Sequence, residues 1–206
     1  MTDSVFDPEN QHQRVDSKIV AALERLNQAF RVLLWEQAQQ HGLSPIQIQM
    51  LVFLLHHDAS LGRVGHLARE FGLTAATVSD AVSALEDKKL LARITSRQDR
   101  RVVNLKLTPA GKKLSNKLCN WADSIRDAVT ALPQGEQTTA LQIMLKLIES
   151  LQQAEIVTVA RMCTTCKHFG ENVHANSHSP HHCKLLDKPL AVTELRVDCA
   201  EHENRH

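Results

Sequence analysis

Apolar positions along the chain repeat with two different periods, and the change of period marks the elements. Between Asp16 and His41, Ile19, Leu23, Leu26, Phe30 and Leu33 are spaced four, three, four and three apart. That spacing predicts a long helix with a heptad-type seam, ended by His41-Gly42. Ser44-Pro45 is a helix start, and the next stretch is strongly apolar through Met50, Leu51, Phe53, Leu54 and Leu55, as a buried floor would be. Val64, Leu67, Ala68 and Phe71 then fall on one face of a short helix, and Gly72 stands where a left-handed stop belongs. Thr74 can cap a second helix running to about Lys89, with Val78, Val82 and Leu85 as its buried stripe and Ala81 beside them.

The opposite face of that second helix shows Ala76, Thr77, Asp80 and Ser83, small or hydrogen-bonding side chains that suit close approach to a polar surface. Two helices joined by three or four residues, the second with such a face, form a helix-turn-helix pattern. The period then drops to two. Leu91–Thr95 and Val102–Leu107 read as strands, with Val103, Leu105 and Leu107 alternating with Asn104 and Lys106, and Ser96–Arg101 joins them. Thr108-Pro109 begins a helix predicted to run to about Ala131. Leu132-Pro-Gln-Gly135 interrupts it, and a last helix to about Ala160 carries Leu141, Leu145, Ile148, Leu151 and Ile156 or Val159 on one face. Residues 1–14 read as disordered or loosely attached.

Charge changes the picture of the hairpin. The 206-residue chain has a net charge of only +1, yet Lys88 to Lys113 holds nine lysines or arginines against one acid, Asp99, a local charge of +8. A basic hairpin beside a helix-turn-helix is what a phosphate backbone attracts. Composition adds less. Apolar content of 43% is enough for a core of Leu, Ile, Val and Ala, since aromatics make up only 3% and there is no Tyr. No apolar run approaches a membrane span, and the polar, acidic first residues lack a signal-peptide core, so a cytoplasmic protein is expected.

Gly42-Leu-Ser-Pro-Ile-Gln47, the helix-turn-helix, Asp99-Arg100-Arg101 and Leu107-Thr-Pro-Ala-Gly111 together resemble the winged-helix regulators of the MarR (multiple antibiotic resistance regulator) family. The resemblance covers roughly residues 15–158. It implies a mainly helical fold with a small β-wing: a DNA-binding lobe over about 44–108, and dimerisation helices over about 16–41 and 109–160. It further implies that Asp99 braces the hairpin tip by pairing with one arginine while another enters the minor groove. Arg100 and Arg101 share those roles, with Arg97 nearby. Thr74, Ala76, Thr77, Ser79, Asp80 and Ser83 are the residues facing phosphates or base edges, with Ser79 alternatively turned toward the protein. The chain departs from the family at two places: Lys89 stands where a glycine usually ends the recognition helix, and Asp80 stands where a base is common. Asp80 either accepts a hydrogen bond from a cytosine amine or repels phosphate.

Beyond the last helix, residues 161–206 form a separate pattern. Cys163, Cys166, Cys183 and Cys199 are spaced C-x2-C-x16-C-x15-C. The C-x2-C pair places two thiolates on one tight turn, and two further cysteines complete the four ligands of a tetrahedral metal. With so few core formers, this segment is expected to need a metal staple. Zinc is the first expectation, an iron–sulfur cluster the alternative, and a metal-free thiol switch the third. Seven of the twelve histidines lie beyond Cys166. His182 or His202 can replace a cysteine as ligand, although most of them suit a solvated tail. Cys119, alone in a helix, reads as a buried small hydrophobe.

The function expected is a transcriptional regulator acting as a homodimer on a pseudo-palindromic stretch of double-stranded DNA, with a metal module that is structural or sensory. The other reading is a protein-interaction adaptor or metal-dependent enzyme using the winged helix as scaffold. Four thiolates saturate tetrahedral zinc and leave no position for water, and no nucleophile–base arrangement or phosphate loop stands out, so no enzyme is expected.

Overall fold

Helix-start chemistry in the sequence sets most of the element boundaries in the computed structural model, which describes residues 4–95, 99, 101–176 and 178–205. The Ser44 hydroxyl accepts from the Gln47 N–H while the Gln47 side chain accepts from the Ser44 N–H, a closed capping box opening α3 (Pro45–His56). Thr74 caps α5 (Ala75–Asp87) by accepting from the Thr77 N–H, and Thr108 caps α6 (Pro109–Leu118) by accepting from that of Gly111. Between α3 and α5 lies the short α4 (Val64–Glu70), and Gly72 holds the left-handed φ of 61° expected of it. Strands β1 (Leu91–Thr95) and β2 (Val103–Leu107) pair antiparallel, from Leu91 opposite Leu107 to Thr95 opposite Val103.

Ile48, Met50, Leu51, Leu67, Val78, Val82, Leu85 and Leu118 are completely buried and form one core beneath the helix-turn-helix. Lys89 takes φ 56° as α5 ends, so the lysine adopts the left-handed conformation that a glycine would adopt more cheaply. Lys89→Gly is expected to raise stability by about 1 kcal/mol, because it removes the Cβ penalty of that conformation. An unchanged urea midpoint would mean the turn is not strained.

Five expectations are corrected. The start of the chain is not loose from Ser4 onward. Pro8–Gln13 forms α1, with Asp7 accepting from the Glu9 N–H at 3.1 Å, and this turn packs on α2 (Val15–His41). The helix after the wing is two helices, α6 and α7 (Asp123–Thr130). The break at Cys119–Ala122 turns the Trp121 ring toward Phe30 of α2, edge-on at 5.9 Å. Cys119 itself is only half-buried, at that break.

The last helix, α8 (Gln134–Gln153), stops short of Ala160, so Ile156 and Val159 are not on its stripe. Glu155 turns with φ 59°, and the following strand of chain doubles back to the lobe, where the Thr158 hydroxyl donates to the Arg69 carbonyl. Finally, much of the α8 stripe is covered within the chain itself, Leu151 alone of it remaining exposed. Leu141, Leu145 and Ile148 form a second core with Ala160, Met162, Phe169, Leu190 and Leu195 of the tail. The tail adds the three-stranded antiparallel sheet β3 (Phe169–Gly170), β4 (His181–Cys183) and β5 (Lys188–Leu190). It therefore borrows apolar surface from a long helix. Each buried aliphatic side chain contributes about 1.5–3 kcal/mol, so this module is less dependent on a staple than its own sequence indicates.

Candidate functional site

The exposed face of α5 is the first site. Thr74, Ala76, Thr77, Asp80 and Ser83 are exposed while Val78, Val82 and Leu85 are sealed beneath them; Ser79 is half-buried, between the two faces. The Thr74 and Thr77 hydroxyls lie 2.9 Å apart, and Thr74 is already engaged as the cap, which fixes their positions. Arg93 joins this face to the wing. Its backbone N–H donates to Glu86 Oε1 at 3.0 Å, and its guanidinium reaches both Glu86 and the Ser83 hydroxyl, the latter at 3.3 Å. Sequence reasoning counted Arg93 only as a charge; the available signal was Glu86 in the last turn of a helix leading straight into a hairpin.

At the wing tip, Asp99 Oδ1 accepts from the Arg101 N–H at 2.9 Å, and the Asp99 carbonyl accepts from Val102 at 3.0 Å. Asp99 thus braces the turn through the backbone of Arg101, whose side chain is exposed. Arg97 and Arg100 lie outside the described residues. The hairpin is anchored at both ends. Arg63 Nε donates to Asn104 Oδ1 at 3.1 Å, and the Leu105 N–H to the Gly62 carbonyl at 2.6 Å. At the far end, the Thr108 hydroxyl donates to the Lys89 carbonyl at 2.7 Å and its N–H to that of Leu90 at 3.1 Å.

The second site is in the tail. Cys163 and Cys166 sit on a tight 3-10 turn, Cys183 ends β4, and Cys199 lies near the C-terminus. All four are free thiols and all four line one cavity of about 310 Å³. Burial pushes the Cys163 thiol up, an effect that the Arg196 N–H opposes and the other three cysteines reinforce. That N–H donates to Cys163 Sγ at 3.2 Å, and the Arg196 guanidinium reaches Cys199 Sγ at 3.5 Å. Neither His182 nor His202 lines the cavity. His182 faces His174 and Asp187, and His202 Nε2 is 2.9 Å from the Thr165 hydroxyl. Among the described residues, no three His, Cys, Asp or Glu side chains are gathered as a single metal ion requires.

A cluster that the sequence did not reveal joins the two sites. Arg161 donates to Glu70 at 2.7 and 3.2 Å, at the end of α4, and to Asp198 at 2.7 and 3.0 Å, beside Cys199. His57 Nε2 is 2.7 Å from the same Asp198 carboxylate. The hydrogen bonds Arg161 donates to Asp198, with those to Glu70 behind them, raise its pKa above the ordinary value against the cost of burial.

A capped helix pair with a polar exposed face, followed by a two-stranded wing, is a winged helix-turn-helix arrangement. Residues 41–102 match the model of the MarR family. Over 140 residues the chain is 27% identical to the HTH-type transcriptional repressor MdtR of Bacillus subtilis strain 168, covering 68% of this chain and 89% of MdtR. It is 26% identical over 132 residues to the regulator MhqR of the same organism, covering 63% of this chain and 89% of MhqR. Among solved structures, transcriptional regulator PA3341 matches at 26% identity with a TM-score of 0.58, over 66% of this chain and 98% of that one. MepR of S. aureus, solved in complex with DNA, shares the fold at 24% identity and a TM-score of 0.58, over 64% of this chain and 97% of its own. Roughly a third of the present chain thus lies outside each match. Among the described residues no helix is long and apolar enough to cross a membrane.

Proposed function

We propose that this chain regulates transcription in the cytoplasm by binding double-stranded DNA as a homodimer on a pseudo-palindromic operator. The observation that carries this reading is the exposed polar face of α5 set rigidly beside a basic hairpin. In the bound state α5 enters the major groove, where Thr74, Ala76, Thr77, Ser79, Asp80 and Ser83 meet base edges or phosphates. The wing reaches the flanking minor groove with Arg101, and with Arg97 and Arg100 beside it; a narrow groove attracts arginine through its enhanced negative potential.

Exposed apolar side chains support the dimer. Ile19, Leu26 and Phe30 of the α2 seam, with Val32 and Trp35, face outward, as do Ile143, Met144, Leu147 and Leu151 of α8. A second copy covers this surface and sets two recognition helices one DNA turn apart, about 34–36 Å. In the tail, Cys163, Cys166, Cys183 and Cys199 hold a metal through their sulfurs, which staples the module or reports on the metal's state.

Arg101→Ala tests the wing. Removing one phosphate-neutralising contact per subunit lowers the slope of log affinity against log salt by about 1, hence about 2 for the dimer. Gel-shift titrations on a selected operator at several salt concentrations read this slope. An unaltered affinity and slope would remove Arg101 from the interface. No shift of any DNA by the wild-type chain at low salt would favour an adaptor instead.

A further inference from the structure

We infer that the cavity between the four cysteines takes an iron–sulfur cluster rather than a single zinc ion, an inference that rests on reading the tail as a thiolate metal site. Four thiolates on zinc converge to about 2.3 Å from one point and leave no space among them. The arrangement here is different. The four cysteines are among thirteen residues that line a cavity of about 310 Å³, and among the described residues no three ligating side chains close around a single point. At roughly 30 Å³ per water molecule in the liquid, that space equals about ten waters, the scale of a multi-atom group.

The walls agree with this occupant. Phe169 and Leu190, both buried, form an apolar wall of the same cavity, and the more exposed Leu185 and Leu186 stand at its edge. Hydrogen bonds to sulfur, which tune such clusters, are already in place from the Arg196 N–H to Cys163 and from its guanidinium to Cys199. Within the C-x2-C turn, the shielded Thr164 hydroxyl has no hydrogen-bond partner among the described residues. One group opposes a negatively charged cluster: Glu201, whose Oε2 is 3.4 Å from Cys199 Sγ. Arg196, 3.2 Å from the same carboxylate, compensates it, and Lys188 likewise pairs with Glu194 at 2.6 Å on the cavity lining.

Assembly is chemically balanced. Each of the four thiols loses its proton to solvent as its Fe–S bond forms. Iron and inorganic sulfide come from outside, and no electron passes to the protein when iron is supplied in the oxidation states the cluster retains.

The test uses the full chain purified without air and then incubated with mixed ferrous and ferric iron and sulfide. Iron, acid-labile sulfide, zinc and visible absorbance are measured on the same sample. The expected result is a brown protein with iron and sulfide in near-equal amounts. That colour should be lost in Cys183→Ser and in Cys199→Ser. It should persist in Cys119→Ser, whose sulfur bonds the Asn116 carbonyl at 3.2 Å, outside the cavity lining. Circular dichroism of each variant separates loss of the cluster from loss of fold. A colourless protein with about one zinc per chain, unmoved by iron and sulfide, would overturn the cluster and leave the thiolate metal site standing. A chain that takes up neither metal would overturn both, and DNA binding by the same sample judges the regulator reading separately.

Discussion

Gly111→Ala is expected to destabilise the protein by about 3 kcal/mol or more, at the upper end of what overpacking costs. A Cβ at this position would lie 1.9 Å from the Leu90 carbonyl oxygen and 2.9 Å from its carbonyl carbon, both backbone atoms that cannot rotate away. The crowding is structural in origin. Leu90 receives the Thr108 N–H, Thr108 caps α6 onto Gly111, and the Lys89 carbonyl takes the Thr108 hydroxyl, so the end of α5, the wing and α6 meet at one point. For a chain of this size, about 2–4 °C of melting temperature accompanies each kcal/mol, so a fall of roughly 6–12 °C should be seen. Gly65→Ala provides the contrast. Nothing lies within 4 Å of a Cβ there, in the first turn of α4, and alanine should stabilise by about 0.5 kcal/mol, the low end of the glycine penalty. Equal melting of the two variants would show that Gly111 is not a packing requirement. The same joint sets the angle between recognition helix and wing, so residual folded Gly111→Ala protein should also bind DNA more weakly.

Arg161→Gln should release the cysteine module from the DNA-binding lobe. The guanidinium sits between Glu70 and Asp198, with only 17% of its side chain exposed against 20% and 45% for its partners. Removing it leaves two carboxylates without their cation and Phe53 without the cation over its ring at 5.8 Å. A fully buried pair broken this way costs about 3–5 kcal/mol; because Asp198 is nearly half exposed, about 1–3 kcal/mol is expected. The effect should appear as faster proteolysis of the tail at a smaller loss in the lobe. A double-mutant cycle with Glu70→Gln should return a coupling of about 0.5–2 kcal/mol, as residues in direct contact do. Additive effects would mean that Arg161 does not bridge the two parts. Because Asp198 precedes Cys199 and Glu70 ends the first helix of the helix-turn-helix, this contact ties the segment that carries Cys199 directly to that helix.

Much of the lobe was legible from local patterns. Val78, Val82 and Leu85 are fully buried where helical spacing placed them, Leu105 and Leu107 are buried where a period of two placed them although Val103 of the same alternation is exposed, and Ser44, Thr74 and Thr108 act as the caps their positions announced. Such features depend on neighbours three or four residues away, or directly across a hairpin, and local sequence records them. The failures share an opposite cause. The stripe of α8 was assigned to a partner because an amphipathic face says that it must be covered without saying by what. The single helix expected after the wing breaks at Cys119 because Trp121 finds Phe30, ninety-one positions earlier in the chain.

By itself the sequence determined the helix-turn-helix, the basic charge of the wing and the spacing of the four tail cysteines, while the contact of Asp99 with the Arg101 backbone came from the fold. Tertiary structure alone decided three things: that the tail shares a core with α8, that its four cysteines line one cavity, and that Arg161 bolts the module to the lobe. Arg161 is 91 residues from Glu70, and His57 is 141 from Asp198. A charge pattern shows that each of these groups needs a partner, but only the packed chain, by closing such long loops and excluding water, selects which one.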